Sequence, residues 1–236
     1  MNEFKECKTQ WFAERPPDEQ TTLAPVYKAL LQSGECNGGF KKPFGCRGTA
    51  ISDQKRDDVL SFFNFIRASV ALGEYRGFSL SPASDMNKLR WDCDLEAVAE
   101  GAVQDCPEHP SFSASTNAVN FNYYGPYMGE EVLKSPITMS MWKWGEIANA
   151  SWPADNVFNG NEALRSFANM ISANATAAGC YSATCGDRAS SACFFSQPEL
   201  QVGTLVYSSG NPCQNAGQCA SPKNGVCENG LCVISV

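Results

Sequence analysis

The chain contains a single imidazole. His109, in the loop C-P-E-H-P between Pro107 and Pro110, is the only histidine among 236 residues, so any Ser-His-Asp or Cys-His arrangement has to be built on it. No nucleophile motif lies nearby. G-x-S-x-G is absent, and so are a Gly-rich phosphate loop, a C-x-x-C redox pair and an EF-hand loop. The other reactive groups are twelve cysteines. Even in number and spread along the chain, they predict six disulfides formed in an oxidising compartment, which leaves no free catalytic thiol. A structural zinc site in a cytosolic protein is the alternative, but one His and irregular Cys spacings suit it poorly. The net charge of -7 and pI near 4.8 argue against nucleic acid or an anionic membrane as partner. No run of eighteen apolar residues is present to span a bilayer.

The elements that would position these groups are read from apolar periodicity. Over Ala83 to Cys106, Trp91, Leu95, Val98, Ala99, Ala102, Val103 and Cys106 fall on one helical stripe. Asp92 is a good N-cap there, and Asp94 and Glu96 add negative charge to the first turn. Cys93 and Cys106, thirteen residues apart, would lie about 20 Å apart on this helix, so each must pair with a different segment. A second helix is expected from Ile51, with Ser52 as cap, Val59, Phe62, Phe63, Ile66 and Val70 as its buried stripe, and Gly73 as terminator. Taken alone, Asn64 and Arg67 on that helix face solvent or cap a neighbour. Ser135-Pro136 should open a third helix through Ile137, Met141, Trp144 and Ala148. A fourth is expected from Glu162 to Thr176.

Three short runs follow, Gly179 to Ala183, Ala192 to Ser196 and Gln201 to Tyr207. They predict a small antiparallel sheet. Between Pro107 and Met128 the sequence is rich in Pro, Ser, Asn and Gly and reads as a long ordered loop. The first 45 residues suggest an appended arm with a Cys7–Cys36 bridge, an exposed linker from Glu14 to Thr22 and a short helix from Val26 to Leu31. From Ser208 onward the chain has too few aliphatic residues for a core of its own. Two disulfides among Cys213, Cys219, Cys227 and Cys232 would hold it, in an order that spacing leaves open. Met1-Asn2-Glu3-Phe4-Lys5 is polar and charged, so the expectation is a chain whose leader has been removed.

Several stretches together resemble the CAP superfamily of secreted proteins. They are M-x-x-L-x-W-D-x-x-L-E-x-x-A from Met86, FNFIRASVALG with Asn64 and Arg67, GPYMGEEVL from Gly125 to Leu133, GCY from Gly179 to Tyr181, and VGTLVYSSGNPC ending at Cys213. The resemblance runs from about Cys46 to Cys232 and takes in ten of the twelve cysteines (Cys46, Cys93, Cys106, Cys180, Cys185, Cys193, Cys213, Cys219, Cys227 and Cys232), the number expected of a nematode member. It implies an α+β fold, an α-β-α sandwich with a short antiparallel sheet between helices. The expected domains are an extension over 1–45, a CAP domain over 46–208 and a Cys-rich, hinge-like tail over 209–236.

Active-type members resemble one another in a cleft where two His and two Glu can hold a divalent metal. Here Glu130 and Glu146 match the two Glu, Ser166 stands at one His position, and His109 falls one residue early for the other. The resemblance therefore implies a degenerate cleft with no metal or other cofactor, its two Glu retained as partly buried, hydrogen-bonded carboxylates. The function it implies is that of a secreted, non-enzymatic effector binding a host cell-surface protein. An integrin is the named candidate, by similarity to nematode members that block platelets or leukocytes. The alternatives are a carrier of sterol or fatty acid and a residual metal-dependent enzyme. Cys185-Gly186-Asp187-Arg188, the nearest approach to an integrin-binding tripeptide, reads as a turn between strands.

A partner surface is expected on Phe112, Phe121, Tyr123, Tyr124 and Tyr127. Phe112 and Phe121 can equally pack inward. At least one of the three Tyr should be exposed, since consecutive positions beside Gly125 and Pro126 cannot all point into a core. Asn149-Ala150-Ser151 and Asn174-Ala175-Thr176 are acceptor sequences for N-glycans, with Asn174 expected at the end of an inward-packing helix.

Overall fold

Among the described residues Ser52 begins the first helix, its Oγ accepting from Lys55 N, and α1 runs Asp53–Ala71. Val59, Phe63 and Val70 on its inner face are fully buried, each contributing about 1.5–3 kcal/mol. The helix stops where Gly73 takes φ +70°. In the computed structural model the described residues are 44–46, 51–75, 79–112, 116–146, 150–219 and 225–234. The Cys7–Cys36 bridge, the 14–22 linker, the 26–31 helix, Ala148 and Asn149 lie outside them.

Phe44–Val236 forms one compact unit. After α1 come β1 (Arg90–Trp91), α2 (Cys93–Val103), β2 (Asn117–Tyr124), α3 (Glu130–Lys134), α4 (Pro136–Gly145), α5 (Glu162–Ile171), β3 (Ala177–Cys185), β4 (Arg188–Pro198) and the hairpin β5 (Val226–Glu228) and β6 (Leu231–Val233). The main sheet has the order β1-β3-β4-β2. Its β2, β4 and β3 pair antiparallel, while β1 adds a short parallel edge to β3. Helix α2 lies on one face of the sheet, and α1, α4 and α5 pack together on the other. Successive residues of β4 show the two layers: Phe194 points into the cluster of Ala99 and Val103 under α2, and Phe195 into the larger core with Phe63 and Phe167. This is the α-β-α sandwich that the resemblance implied.

Asp92 caps α2 as expected, its Oδ1 accepting from the N–H groups of Asp94 and Leu95. The start of α2 sits so close to β3 that a Cβ on Gly179 would collide with Glu96 N and Asp92 O. Only glycine permits that approach. Val98 departs from the predicted stripe and is 41 % exposed, because the sheet contacts a narrower face of α2 than the apolar residues could cover.

Three further expectations are corrected. The 107–128 loop contains β2, an eight-residue strand whose Ala118, Asn120, Asn122 and Tyr124 face inward in strict alternation. The fourth helix ends at Ile171 instead of Thr176. Gln201–Tyr207 is a clamp rather than a strand: Val206 N donates to Asn156 O, Ala173 N to Val206 O, and Phe158 N to Thr204 O.

The early end of α5 has an identifiable cause in Arg67, which is fully buried rather than solvent-facing. Its guanidinium donates to the carbonyls of Asn87 (2.8 Å), Met170 (2.8 Å), Ser172 (2.9 Å) and Ala175 (3.2 Å). These carbonyls can turn toward it only if the helix unwinds. Desolvation lowers the guanidinium to about 9, so it remains a cation at neutral pH. Asn64 is likewise buried, exchanging two hydrogen bonds with the backbone of Leu89.

Five disulfides close among the described residues: Cys46–Cys93, Cys106–Cys185, Cys180–Cys193, Cys213–Cys227 and Cys219–Cys232. As required, Cys93 and Cys106 bond to different segments, and the four tail cysteines pair with one another. The tail hairpin also joins the main unit, with Cys232 N donating to Met86 O, Lys88 N donating to Cys232 O, and Leu231 in the core.

Replacing Arg67 with Met would strand four buried carbonyls. Arg67→Met is expected to lower stability by about 3 kcal/mol or more, measured by urea denaturation. The exposed Arg188→Met should stay within about 0.5 kcal/mol of the parent.

Candidate functional site

The four residues assigned to the cleft serve separate local roles. His109 is almost fully exposed on its proline-bracketed loop, and its Nε2 lies 3.9 Å from Glu108 Oε1. Glu130 starts α3, where negative charge suits the helix dipole. Its carboxylate is 80 % exposed and pairs with Lys134 one turn on, at 3.2 Å. Glu146, just past α4, is also exposed. Neither Glu is the partly buried carboxylate expected, because each sits at a helix end that faces water. Glu146 does act on Tyr75, whose hydroxyl donates to Gly145 O at 2.9 Å. Burial, and secondarily the charge of Glu146, pushes that phenol up to about 12. Ser166 is half-buried on α5 and contributes its backbone carbonyl, which accepts from Asn120 Nδ2 at 2.8 Å.

A divalent metal of the kind implied by the family does not fit this donor set. Among the described residues, no three His, Asp or Glu side chains bring ligand atoms within 4.8 Å of one another. The one such convergence among the described residues is of Cys213, Cys219 and Cys232 sulfurs, all committed to disulfides. Inside the sandwich a polar spine along β2 takes the central place. Asn120 Oδ1 accepts from Asn169 Nδ2 (2.9 Å), Gln197 Nε2 donates to Asn169 O (3.0 Å), and Tyr124 Oη shares a hydrogen bond with Ser140 Oγ (3.0 Å). Sequence reading missed this spine. Its one signal was the period-two spacing of Asn120 and Asn122, which the loop-like composition concealed.

The aromatic residues divide. Phe112 and Phe121 pack edge-on with each other and with Phe194 or its cluster under α2. Tyr124 is buried and removed from the set of contact anchors, and burial raises its phenol. Tyr123 is half-buried. Tyr127 is 100 % exposed, at φ +75°, and Met128 beside it is 43 % exposed. A bulky residue held in the left-handed region costs on the order of 1 kcal/mol. Behind this turn Tyr124, Val132 and Ala189 form a small core, and Thr184 Oγ1 donates to Leu133 O at 2.9 Å. Cys185 to Arg188 is the β3–β4 turn, as expected.

A separate open cleft of about 330 Å³ lies where β1 meets the tail hairpin. Phe44, Leu60, Trp91 and Val233 supply apolar walls, and Lys88, Arg90 and Glu228 supply charge.

This architecture and its half-cystines define a class. The family model of the Cysteine-rich secretory protein family, CAP, matches residues 60–197, and the chain belongs to that family. Among individual relatives it is 32% identical to the Ancylostoma secreted protein of Ancylostoma caninum over 195 residues, covering 80% of this chain and 45% of that one. The crystal structure of Na-ASP-1 superposes with a TM-score of 0.73 at 30% identity, over 82% of this chain and 49% of the other. The hookworm platelet inhibitor shares the fold, with a TM-score of 0.60 at 22% identity over 80% of this chain and 94% of its own. The chain thus spans about half the length of the first two. Among the described residues no helix is long and apolar enough to cross a membrane.

Two measurements test the site. Elemental analysis after dialysis should find well under one equivalent of zinc, and a tightly held equivalent would restore a metal centre. The second concerns Tyr75. Its folded pKa lies above the ordinary tyrosine value, so the fold favours the neutral phenol. The stability advantage of the parent over Tyr75→Phe should be complete below pH 10 and disappear as pH rises from about 10 toward about 12. Paired denaturation curves across that range would show it.

Proposed function

We propose that this chain is a secreted, non-enzymatic CAP effector that binds a host cell-surface protein, with an integrin on platelets or leukocytes as the leading candidate. The observation that carries the reading is the turn at Tyr127 and Met128. It presents an aromatic and a thioether side chain to solvent from a strained backbone, braced by a small core beneath. Tyr supplies a large contact area at low entropic cost, and bracing lowers the ordering cost of binding. Three further points support the reading: the disulfide framework, which suits an extracellular setting; the secreted Ancylostoma relative; and the fold shared with a platelet inhibitor.

A carrier of sterol or fatty acid is the second reading, favoured by the cleft beside Trp91. The two separate experimentally. The double substitution Tyr127→Ser with Met128→Ser is expected to weaken binding to integrin-bearing cells by roughly 2 kcal/mol, while stability stays within about 0.5 kcal/mol because both side chains are exposed. Platelet adhesion to fibrinogen and collagen reports the binding. If neither such cells nor purified integrins bind the parent chain, the effector reading falls. Sterol uptake that survives the double substitution would then favour the carrier.

A further inference from the structure

We infer that Asn174 is an N-glycan attachment site, and that the sugar stands off the end of the sheet opposite the Tyr127 turn. The sequence Asn174-Ala175-Thr176 meets the acceptor rule, with alanine in the middle position. On sequence alone a helix through Thr176 would have turned Asn174 toward its packed face. Instead α5 ends at Ile171, and Ala173 and Asn174 make a turn in which Asn174 is exposed. Buried groups hold that turn in place. Arg67 binds the carbonyls of Met170, Ser172 and Ala175, and Asn87 Nδ2 donates to Ala173 O at 2.9 Å. Ala173 and Ala175 are buried on either side, while Asn174 is exposed between them. The backbone is thus anchored inward at each neighbour, and the one side chain directed to water is the acceptor amide.

Attachment replaces one N–H bond. Asn174 Nδ2 forms a bond to the anomeric carbon of an oligosaccharide carried on a polyprenyl diphosphate. The bond from that carbon to the diphosphate oxygen breaks, the lipid diphosphate leaves with the electron pair, and the amide loses one proton. Thr176 Oγ1 pairs with Ser196 Oγ at 3.2 Å in the folded chain, so transfer takes place on the chain as it enters the secretory compartment, before that pair closes.

Strand register gives the position. Asn174 lies three residues before the start of β3 at Ala177, and Tyr127 three residues after the end of β2 at Tyr124. Tyr124 is opposite Ala189, which is opposite Thr184 on β3. Thr184 lies seven steps along β3 from Ala177, about 23 Å at ~3.3 Å per residue. A sugar at Asn174 therefore leaves the aromatic turn uncovered. The site rests on the secretion that the proposed function includes and is independent of the partner that function names.

The test is peptide mapping of the full chain secreted from insect cells, before and after treatment with a peptide N-glycosidase. The peptide containing Asn174 should appear only after treatment, carrying the Asn174→Asp conversion that the enzyme leaves. The corresponding loss of mass should persist in Asn149→Gln and be missing at this peptide in Asn174→Gln. Recovery of the untreated peptide with an unmodified Asn174, from folded and secreted protein, overturns the inference. Because the parent chain alone supplies that result, poor secretion of either variant leaves the test decisive.

Discussion

A buried cation hydrogen-bonded to backbone carbonyls sets the geometry of the central layers. Arg67 lies in α1, yet its donors reach the segment before β1 and the turn between α5 and β3. Carbonyl dipoles receive the charge, with the carboxylate of Asp85 acting on it only through its field. Removing a charge from water is expensive unless several hydrogen bonds receive it, so the four acceptors have little freedom to move independently. Where α5 stops, where β3 starts and how the strand holding Trp91 enters the sheet all follow from satisfying one guanidinium. The same requirement lifts Asn174 out of the helix and into solvent.

The opposite face is fixed by a different device. Arg56 and Glu96 form a buried bidentate pair, with N–O distances of 2.7 and 2.6 Å, and Trp91 Nε1 donates to the same carboxylate at 2.7 Å. The hydrogen bonds that Arg56 donates to the Glu96 carboxylate hold its guanidinium well above the ordinary range. This network links α1 to α2 around the edge of the sheet, while the absent side chain of Gly179 lets α2 settle against β3. Polar contacts thereby set the spacing of the layers, and the apolar residues fill it. Cys46–Cys93 and Cys106–Cys185 then tether both ends of α2, consistent with disulfides that restrict the unfolded chain across loops of 47 and 79 residues.

Legibility in the sequence followed the type of force involved. Where burial is apolar and periodic, as in α1, α2, α4 and most of α5, the stripe was readable, and Ser52, Asp92 and Gly73 marked the ends. Where burial is polar, reading failed. Asn120 occupies an inward position of β2 because it finds Ser166 and Asn169 across the layer, Asn122 lies inward beside the Tyr124 hydroxyl two residues along its own strand, and nothing local says that an asparagine will be buried. Arg67 was hidden for the same reason: its partners lie 20 to 108 residues away along the chain. The cleft residues were transferred from a family pattern, and the exposure of Glu130 and Glu146 was not readable because each sits at a helix end whose burial depends on neighbouring elements. Of the aromatic positions, the inward packing allowed for Phe112 and Phe121 is what the structure shows, and the three tyrosines do not all face inward.

The contrast between Tyr124 and Tyr127 shows how one short segment serves both stability and display. Tyr124 ends β2 with its ring in a small core and its hydroxyl on Ser140, which anchors the strand end to α4. Three residues later the chain must reverse into α3, whose Glu130 and Val132 are already committed to Lys134 and to that same core. Gly125 and Pro126 begin the reversal, and Tyr127 completes it with a positive φ that glycine or asparagine would adopt with less strain. A β-carbon there adds nothing to the fold, because the side chain touches solvent alone. The strain is supported by Tyr124 before the turn and Val132 after it, both in the small core, and it leaves the aromatic ring directed into solvent. A structural requirement alone would have selected a smaller residue at this position, which is why the proposed partner contact rests on Tyr127.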